Sequence, residues 1–271
     1  MSESIDKNEL RQKKDALMDY LSSLGSVAVA FSSGVDSALL LEMARRALGD
    51  KVIAYTAKTP FVSGLESLDA RDFCSKRNIR HVMVKIDLLK VGNLKINPPD
   101  RCYLCKKTIF TRFLEEAKRM NVPHLIEGSN LDDAGENRPG MRALKELGVK
   151  SPLMELGFTK GMIRELARSM NVECWDKPSS PCLATRIPFG DEITPGKIDM
   201  IERAEKRIKD MGVKVVRVRV HGGIARIEVL PSDIPRIVSP TVSAEINKCL
   251  KGLGFRYVTI DLGGYKTGSM G

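Results

Sequence analysis

Cys102 and Cys105 are separated by Tyr103 and Leu104. Thiols at this spacing usually bind metal or do redox chemistry. The sequence holds no second pair of this kind, which excludes a closed four-cysteine zinc ribbon. The best third partner is Cys182, in the run Lys177-Pro178-Ser179-Ser180-Pro181-Cys182-Leu183-Ala184-Thr185-Arg186-Ile187-Pro188. Lys177 and Arg186 flank this proline-held loop and would favour thiolate over thiol. Three thiolates suit an iron–sulfur cubane with one iron left without a protein ligand. Zinc held by three cysteines with water or His221 is the competing site. Cys74 and Cys249 fall in helical patterns and read as packing residues, while Cys174 is open between packing and ligation.

A second constellation is Ser32-Ser33-Gly34-Val35-Asp36-Ser37, a tight polar loop between an apolar strand and a helix. Small residues let backbone N–H groups approach a phosphate, and a helix N-terminus adds a favourable dipole. No lysine stands where a Walker A loop has one. Loop chemistry alone equally allows an ordinary polar turn. Gly128-Ser129-Asn130-Leu131-Asp132-Asp133 follows a later strand. Its two carboxylates could bind Mg²⁺ or orient a substrate, or form an Asx-rich helix cap. Lys160 on its own reads as a solvated side chain. Arg217 and Arg219 alternate with Val216, Val218 and Val220, which fits a strand with one solvated face or a site that grips phosphate.

The elements that must position these residues follow from periodicity. Residues 9–24, 38–48, 67–77 and 106–120 have helical character, and residues 27–31, 52–56, 81–86 and 124–127 read as buried strands. This alternation predicts an α/β fold with a doubly wound parallel sheet over residues 1–189. Prolines 178, 181 and 188 keep residues 176–190 irregular. A smaller α+β domain is expected over residues 190–271, with a helix at 195–211, strands at 214–220 and 224–230, a hairpin turn at His221-Gly222-Gly223, a helix at 243–250 and a strand at 255–261. The 271 residues fit about two domains.

Hydrophobic residues at 42% and charged residues at 29% exclude a disordered chain. No apolar run approaches the ~20 residues of a membrane span. Residues 1–14 are polar and lack the apolar core of a secretory signal, so a cytoplasmic protein is expected. Six cysteines in a chain of this length are too few for a disulfide scaffold. The net charge of +10 suits anionic partners, RNA or small phosphorylated substrates.

The Ser32–Ser37 loop resembles the SGGxDS loop of the PP-loop ATP pyrophosphatases, with Ser33 in the first-glycine place. The substitution matters only if that residue needs a positive φ. The resemblance implies that Ser32, Ser33, Gly34, Asp36 and Ser37 hold pyrophosphate, with Asp36 near Mg²⁺. It seats adenine at the end of the second strand, by Ala57. It matches Gly128, Asn130 and Asp133 to the family's G-[ST]-N-x-D-D motif, and Lys160 to a lysine that meets phosphates. Taken with residues 101–107, 177–188, 217–229 and 261–271, the chain from about Gly25 resembles the LarE sulfur transferases of nickel-pincer nucleotide biosynthesis. One version of that family sacrifices the sulfur of a lone cysteine at the position of Cys182. The other binds a [4Fe–4S] cluster through three cysteines, and Cys102, Cys105 and Cys182 match it.

What this resemblance implies is adenylation of the carboxylates of pyridinium-3,5-biscarboxylic acid mononucleotide by ATP, then their conversion to thiocarboxylates. Lys106 is a candidate for substrate or phosphate contact, and Arg186 for ATP or substrate phosphate. Arg217 and Arg219 are expected on the substrate phosphate, Glu205 and Glu228 in an acidic cluster, and Arg101 as a charge neighbour of the metal cluster. A homo-oligomer is expected, and the sulfide donor is unnamed. A PP-loop tRNA thiolase would share the cysteines and suit the charge. The chain adds no RNA-binding domain and has only 5% aromatic residues, so nucleic acid is not the expected partner. Two further readings are an ammonia-using PP-loop enzyme, which would not need the cysteine pair, and a binding module with structural zinc.

Overall fold

The computed structural model describes residues 6–133, 139–178 and 181–266. Ser179, Ser180 and residues 267–271 of the motifs above lie outside the described residues. The chain divides into two compact units, one of residues 1–86 and 100–180, the other of residues 87–99 and 181–271.

The first unit opens with α1 (Lys7–Ser23), β1 (Val27–Ala30), α2 (Val35–Leu48), β2 (Val52–Lys58), α3 (Gly64–Lys76) and β3 (Arg80–Lys85). It continues with α4 (Arg101–Arg119), β4 (His124–Ile126), α5 (Pro139–Glu146), α6 (Pro152–Glu155) and α7 (Lys160–Ser169). The four strands are parallel in the order β3-β2-β1-β4. Side chains alternate across a strand, so each face of this sheet has its own partners. Val27, Val29, Val52 and Ala54 join a core with Leu17 and Leu21 of α1, Leu39, Leu40 and Met43 of α2, and Ile163 of α7. The next residue after Ala54, Tyr55, turns to the other face and packs on Phe113 of α4 with ring centroids 5.7 Å apart. The α/β reading therefore stands, with helices on both faces.

Because α2 lies between the sheet, α1 and α7, nearly its whole first three turns are buried. Helix α4 begins at Arg101, five residues before the periodic pattern starts, and so takes the Cys102–Cys105 pair into its first turn. Helices α5, α6 and α7 escaped the sequence reading. They are short, and each begins with or beside proline or glycine, which blurs an apolar period.

The second unit holds α8 (Pro195–Asp210), β5 (Val216–His221), β6 (Ile224–Val229), α9 (Ile234–Ile237), α10 (Pro240–Gly252) and β7 (Tyr257–Ile260). Strands β5 and β6 are antiparallel, β6 and β7 parallel. Val216, Val218 and Val220 are buried, as are Ile198, Ile201 and Ile208 of α8. The unit starts at Pro181 rather than near residue 190, and it includes residues 87–99. Buried Asn97 explains both differences. Its Nδ2 donates to the carbonyls of Ile187 and Pro188 at 2.9 and 2.6 Å, while Gly190 N donates to its carbonyl at 3.0 Å. Among the described residues no helix is long and apolar enough to cross a membrane.

One buried charge of the first unit carries a pH signature. Glu42 of α2 is 3% exposed and accepts from Arg45 Nε at 2.9 Å and Arg46 Nε at 2.7 Å. Burial alone would raise its pKa, but the two arginine hydrogen bonds outweigh it and hold the carboxyl below its ordinary value. Such a group adds stability above its unfolded-state pKa of about 4.3 and loses it as pH falls through the lower folded value. Glu42→Gln is expected to cost about 2 kcal/mol at pH 7, in the range for hydrogen bonds to charged groups. Urea midpoints measured from pH 7 to pH 3 should show that difference shrinking as the pH drops.

Candidate active site

Strands β1 and β4 are neighbours, yet the chain leaves β1 toward β2 and β3 before returning to β4 on its other side. Loops at the carboxyl ends of such a pair border a crevice, the usual place for a ligand on an open parallel sheet. The loop after β1 is Ser32-Ser33-Gly34. Helix α2 starts there with Gly34 as its N-cap and no side-chain cap bond. Its first-turn N–H groups are the donors that a phosphate oxygen would take. Ser37 Oγ closes the loop: it accepts from Ser32 N at 3.2 Å, lies 3.1 Å from Ser32 Oγ, and donates to Gly34 O at 3.1 Å.

Ser33 has φ +58°, the left-handed region, so the glycine-to-serine departure falls on a position that does need a positive φ. A non-glycine residue there costs about 1–2 kcal/mol. Ser33 Oγ donates to Glu66 O at 3.3 Å, a contact that glycine would lack. Lys177 Nζ reaches the Ser33 carbonyl at 3.4 Å and Asp69 at 2.7 Å, fixing the loop from outside.

The loop after β4 closes on the same place. A Cβ on Gly128 would lie 2.9 Å from Ser37 N and 3.1 Å from the Asp36 carbonyl carbon, so only glycine fits against the first turn of α2. Asn130 Nδ2 donates to Asp36 Oδ1 at 3.2 Å. Lys160 Nζ donates to the other oxygen, Asp36 Oδ2, at 2.5 Å. Lys160 N donates to Asp132 Oδ2 at 2.9 Å, and Asn130 N to Asp133 Oδ2 at 3.2 Å. Lys160 is thus the first residue of α7, tied to both loops with 35% of its side chain still exposed. Ala57, half-buried near the end of β2, pairs with Val84.

Sequence reasoning missed two residues behind this loop, buried Glu127 and Ser151. Glu127 directly precedes the Gly128 motif, which is the one signal that could have marked it.

Cys102 and Cys105 stand three residues apart on the first turn of α4 and so share one helix face. Lys106, one turn beyond Cys102, lies on that face too, with its stem against Gly140 of α5. Tyr103, between the cysteines, donates to Glu146 of α5 at 2.7 Å, and Arg142 stacks 4.0 Å over its ring. Cys102 is exposed and Cys105 partly so. Arg101 is 4% exposed at the start of the same turn. By contrast, burial pushes the Cys74 thiol up to about 12 and also raises that of Cys174. Both are held away from the thiolate form, as packing residues are. Cys249 is partly buried in α10. Among the described residues, which include all six cysteines, there is no disulfide, and no group of three His, Cys, Asp or Glu is gathered to hold a metal.

In the second unit Cys182 precedes a 3-10 turn, Leu183–Arg186. Its carbonyl accepts from Thr185 Oγ1 at 2.8 Å and Arg186 Nη1 at 3.1 Å. Arg186 is 2% exposed and grips Glu205 through Nε and Nη2 at 2.8 and 3.0 Å. Here it anchors the cysteine loop, and each of its nitrogens has a protein partner. Glu205 also accepts from Val218 N at 3.1 Å. Arg219 donates to Glu228 at 2.9 Å and to Thr185 O at 2.8 Å, and Arg226 bridges Glu228 and Asp261. Arg217 lies 5.0 Å from the ring of Tyr265. Burial, helped by the nearby Arg186 charge, lowers the Arg217 pKa from its ordinary value. From Val216 to Val220 strand β5 therefore has no solvated face: its arginines are buried along with its valines. Desolvation and the Arg226 charge lower the pKa of His221, which keeps its ring neutral near pH 7.

No protein-family model matches the chain. The pyridinium-3,5-bisthiocarboxylic acid mononucleotide synthase of Lactiplantibacillus plantarum is 35% identical over 262 residues, 96% of this chain and 94% of that one. An uncharacterised protein of Synechocystis is 35% identical over 261 residues, 96% and 97% of the two chains. A glutamine-hydrolysing GMP synthase subunit of Archaeoglobus fulgidus is 22% identical over 220 residues, 77% and 70% of the two chains. At one-third identity over nearly the whole of both sequences, with the motif residues set at the carboxyl ends of a parallel sheet, the chain belongs to the LarE family of pyridinium-3,5-bisthiocarboxylic acid mononucleotide synthases.

Proposed function

We propose that this chain is an ATP-dependent sulfur transferase that acts on pyridinium-3,5-biscarboxylic acid mononucleotide. The observation that carries the reading is the junction of Asp36, Asn130 and Lys160 over the open N-terminus of α2. The donors of the Ser32–Ser37 loop would hold the leaving pyrophosphate, and Lys160 would offset the charge that grows on it. Asp36 would hold Mg²⁺ in the triphosphate complex. A substrate carboxylate oxygen attacks the α-phosphorus of ATP, the bond to the β-phosphate oxygen breaks, and pyrophosphate departs. A sulfur nucleophile then attacks the acyl carbon, AMP leaves, and a thiocarboxylate remains. The second carboxylate reacts in a second cycle. Adenylation is needed because a carboxylate oxygen is a poor leaving group and AMP a good one.

The donor chemistry suits an iron–sulfur cluster. Cys102 and Cys105 present two thiols on one helix face, and Cys182, taken from the sequence motif, would be the third ligand. When bound, a [4Fe–4S] cluster would supply a sulfide on the iron that lacks a protein ligand. Arg186 would hold the Cys182 loop in shape, Arg217 would receive the substrate phosphate, and Arg219, whose nitrogens are taken by Glu228 and Thr185, would add its charge. The likeness to a GMP synthase subunit favours one rival, amide formation with ammonia on the same adenylating loop.

Protein purified without oxygen is expected to be brown, with iron and acid-labile sulfide in similar amounts. Cys102→Ala, Cys105→Ala and Cys182→Ala should each lose the colour and thiocarboxylate formation while adenylation, read as pyrophosphate release, persists. A colourless protein that makes an amide with ammonia at full rate would overturn the sulfur-transfer reading.

Asp36→Ala and Lys160→Met should do the reverse. Each is expected to lower AMP formation by about a hundredfold or more, the usual cost of removing one charge-stabilising group, with iron and sulfide content unchanged. Gly128→Ala should act similarly, through the backbone of Ser37 that its Cβ would strike. Colour and pyrophosphate release, read on the same preparations, separate the two classes.

A further inference from the structure

Glu127 is a carboxylate buried at the end of β4, only 7% exposed, and the adenylation scheme gives it no task. Three hydrogen bonds converge on it: from Ser129 N at 3.0 Å, from Ser129 Oγ at 2.8 Å and from Ser151 Oγ at 2.5 Å. Its backbone is tied to the same neighbour, since Glu127 N donates to Lys150 O at 3.0 Å and Lys150 N to Leu125 O at 3.2 Å. Ser151 is fixed in turn, its N–H donating to Glu155 Oε1 at 2.9 Å, and Glu155 accepts from Tyr20 of α1 at 2.8 Å.

Burying a carboxylate is costly unless its lone pairs are met, and a buried polar group that is met fixes one geometry. Here the geometry fixed is the path of residues 128–130. Gly128 presses on Ser37 N, Ser129 is held at both N and Oγ by Glu127, and Asn130 then points its Nδ2 at Asp36. The other contact of the Ser129 hydroxyl, to the Met141 sulfur at 3.5 Å, is weaker. The Ser129 N–H needs an acceptor at this place, while the two hydroxyls donate here and could also accept.

We propose that Glu127 is a positioning residue for the adenylating step: it sets Asn130, and through it the Asp36 carboxylate, over the phosphate loop. This inference rests on the ATP reading above. The residue acts through Ser129 and Asn130 and does not touch the nucleotide itself.

The test is steady-state AMP formation from ATP with the biscarboxylate mononucleotide and inorganic sulfide, at least about 15 °C below each variant's melting temperature. Glu127→Ala orphans the Ser129 N–H and frees the turn. It is expected to lower kcat by about tenfold to a hundredfold, the cost of a misplacement of about 1 Å, with KM for ATP within about threefold. Glu127→Gln keeps one oxygen for Ser129 N and Ser151 Oγ, and Ser129 Oγ can rotate to accept from its amide. It should stay within about threefold of the parent in both constants. Should Glu127→Ala fail to fold, Ser129→Ala carries the test, with an expected loss in kcat of about three- to tenfold from removal of one arm. A role confined to stability would lower the melting temperature and leave kcat unchanged. An alanine variant with kcat within twofold of the parent, or a loss that lies wholly in KM, overturns the inference while leaving the ATP reading intact. A parent chain that forms no AMP overturns both.

Discussion

Asp36 sits in the first turn of α2, where the helix dipole favours negative charge, and both of its carboxylate oxygens are taken. One is held by Asn130 from the β4 loop, the other by Lys160 from the start of α7. Three segments distant in sequence therefore meet at one side chain. The meeting needs the β4 loop to pass within touching distance of α2, and a hydrogen at Gly128 in place of a side chain makes that possible. The rest of the first unit serves this approach. The parallel pairing of β1 with β4 sets their carboxyl ends side by side, and the burial of nearly the whole first three turns of α2 keeps its N-terminus in place beside the loop.

The second unit solves a different problem, how to keep guanidinium groups out of water. Buried Arg186 and Arg219 are each matched to a carboxylate, and fully buried Glu228 also pairs with Arg226, whose side chain is 29% exposed. Such pairs contribute little net stability over an apolar core of the same volume, but loss of one partner leaves a charge stranded at a cost of about 3–5 kcal/mol. What the pairs do supply is shape. Glu205 receives Arg186 and the backbone of β5 at once, and Arg186 in turn holds the Pro181 and Cys182 carbonyls. The cysteine loop, rich in proline and short of regular hydrogen bonds, gets its conformation from this buried charge.

Much of the fold was legible because its strands are runs of β-branched and small residues broken by glycine, as at Val27–Ala30 and Val52–Lys58. The Ser32–Ser37 loop, the Gly128 motif and the cysteine pair stand out as candidates for the same reason: residue type and spacing lie together in the sequence. What stayed hidden depends on three-dimensional neighbours. Periodicity marked Arg217 and Arg219 as one face of a strand and left open whether that face meets water, because the answer lies with Glu205 and Glu228 on other elements. Arg186 read as a phosphate ligand for want of any sign that Glu205 reaches it. The boundary near residue 190 was drawn where prolines thin out, whereas Asn97, some ninety residues earlier, draws the preceding loop into the second unit.

The six cysteines divide by environment in a way that composition does not show. Cys74 and Cys174 sit in or against the apolar core of the first unit, where desolvation suppresses the thiolate, so they are poor nucleophiles and poor ligands. Cys102 and Cys105 occupy a helix turn that α5 braces, through Tyr103 on Glu146 and Arg142 and through the Lys106 stem on Gly140. A braced turn of this kind would suit a metal held through the two-residue spacing, because ligand geometry is best set before the metal arrives. The same division explains why a cysteine count says little about this chain. Cys74 is buried among apolar side chains, whereas Cys102 is exposed on a helix turn whose neighbours hold it still.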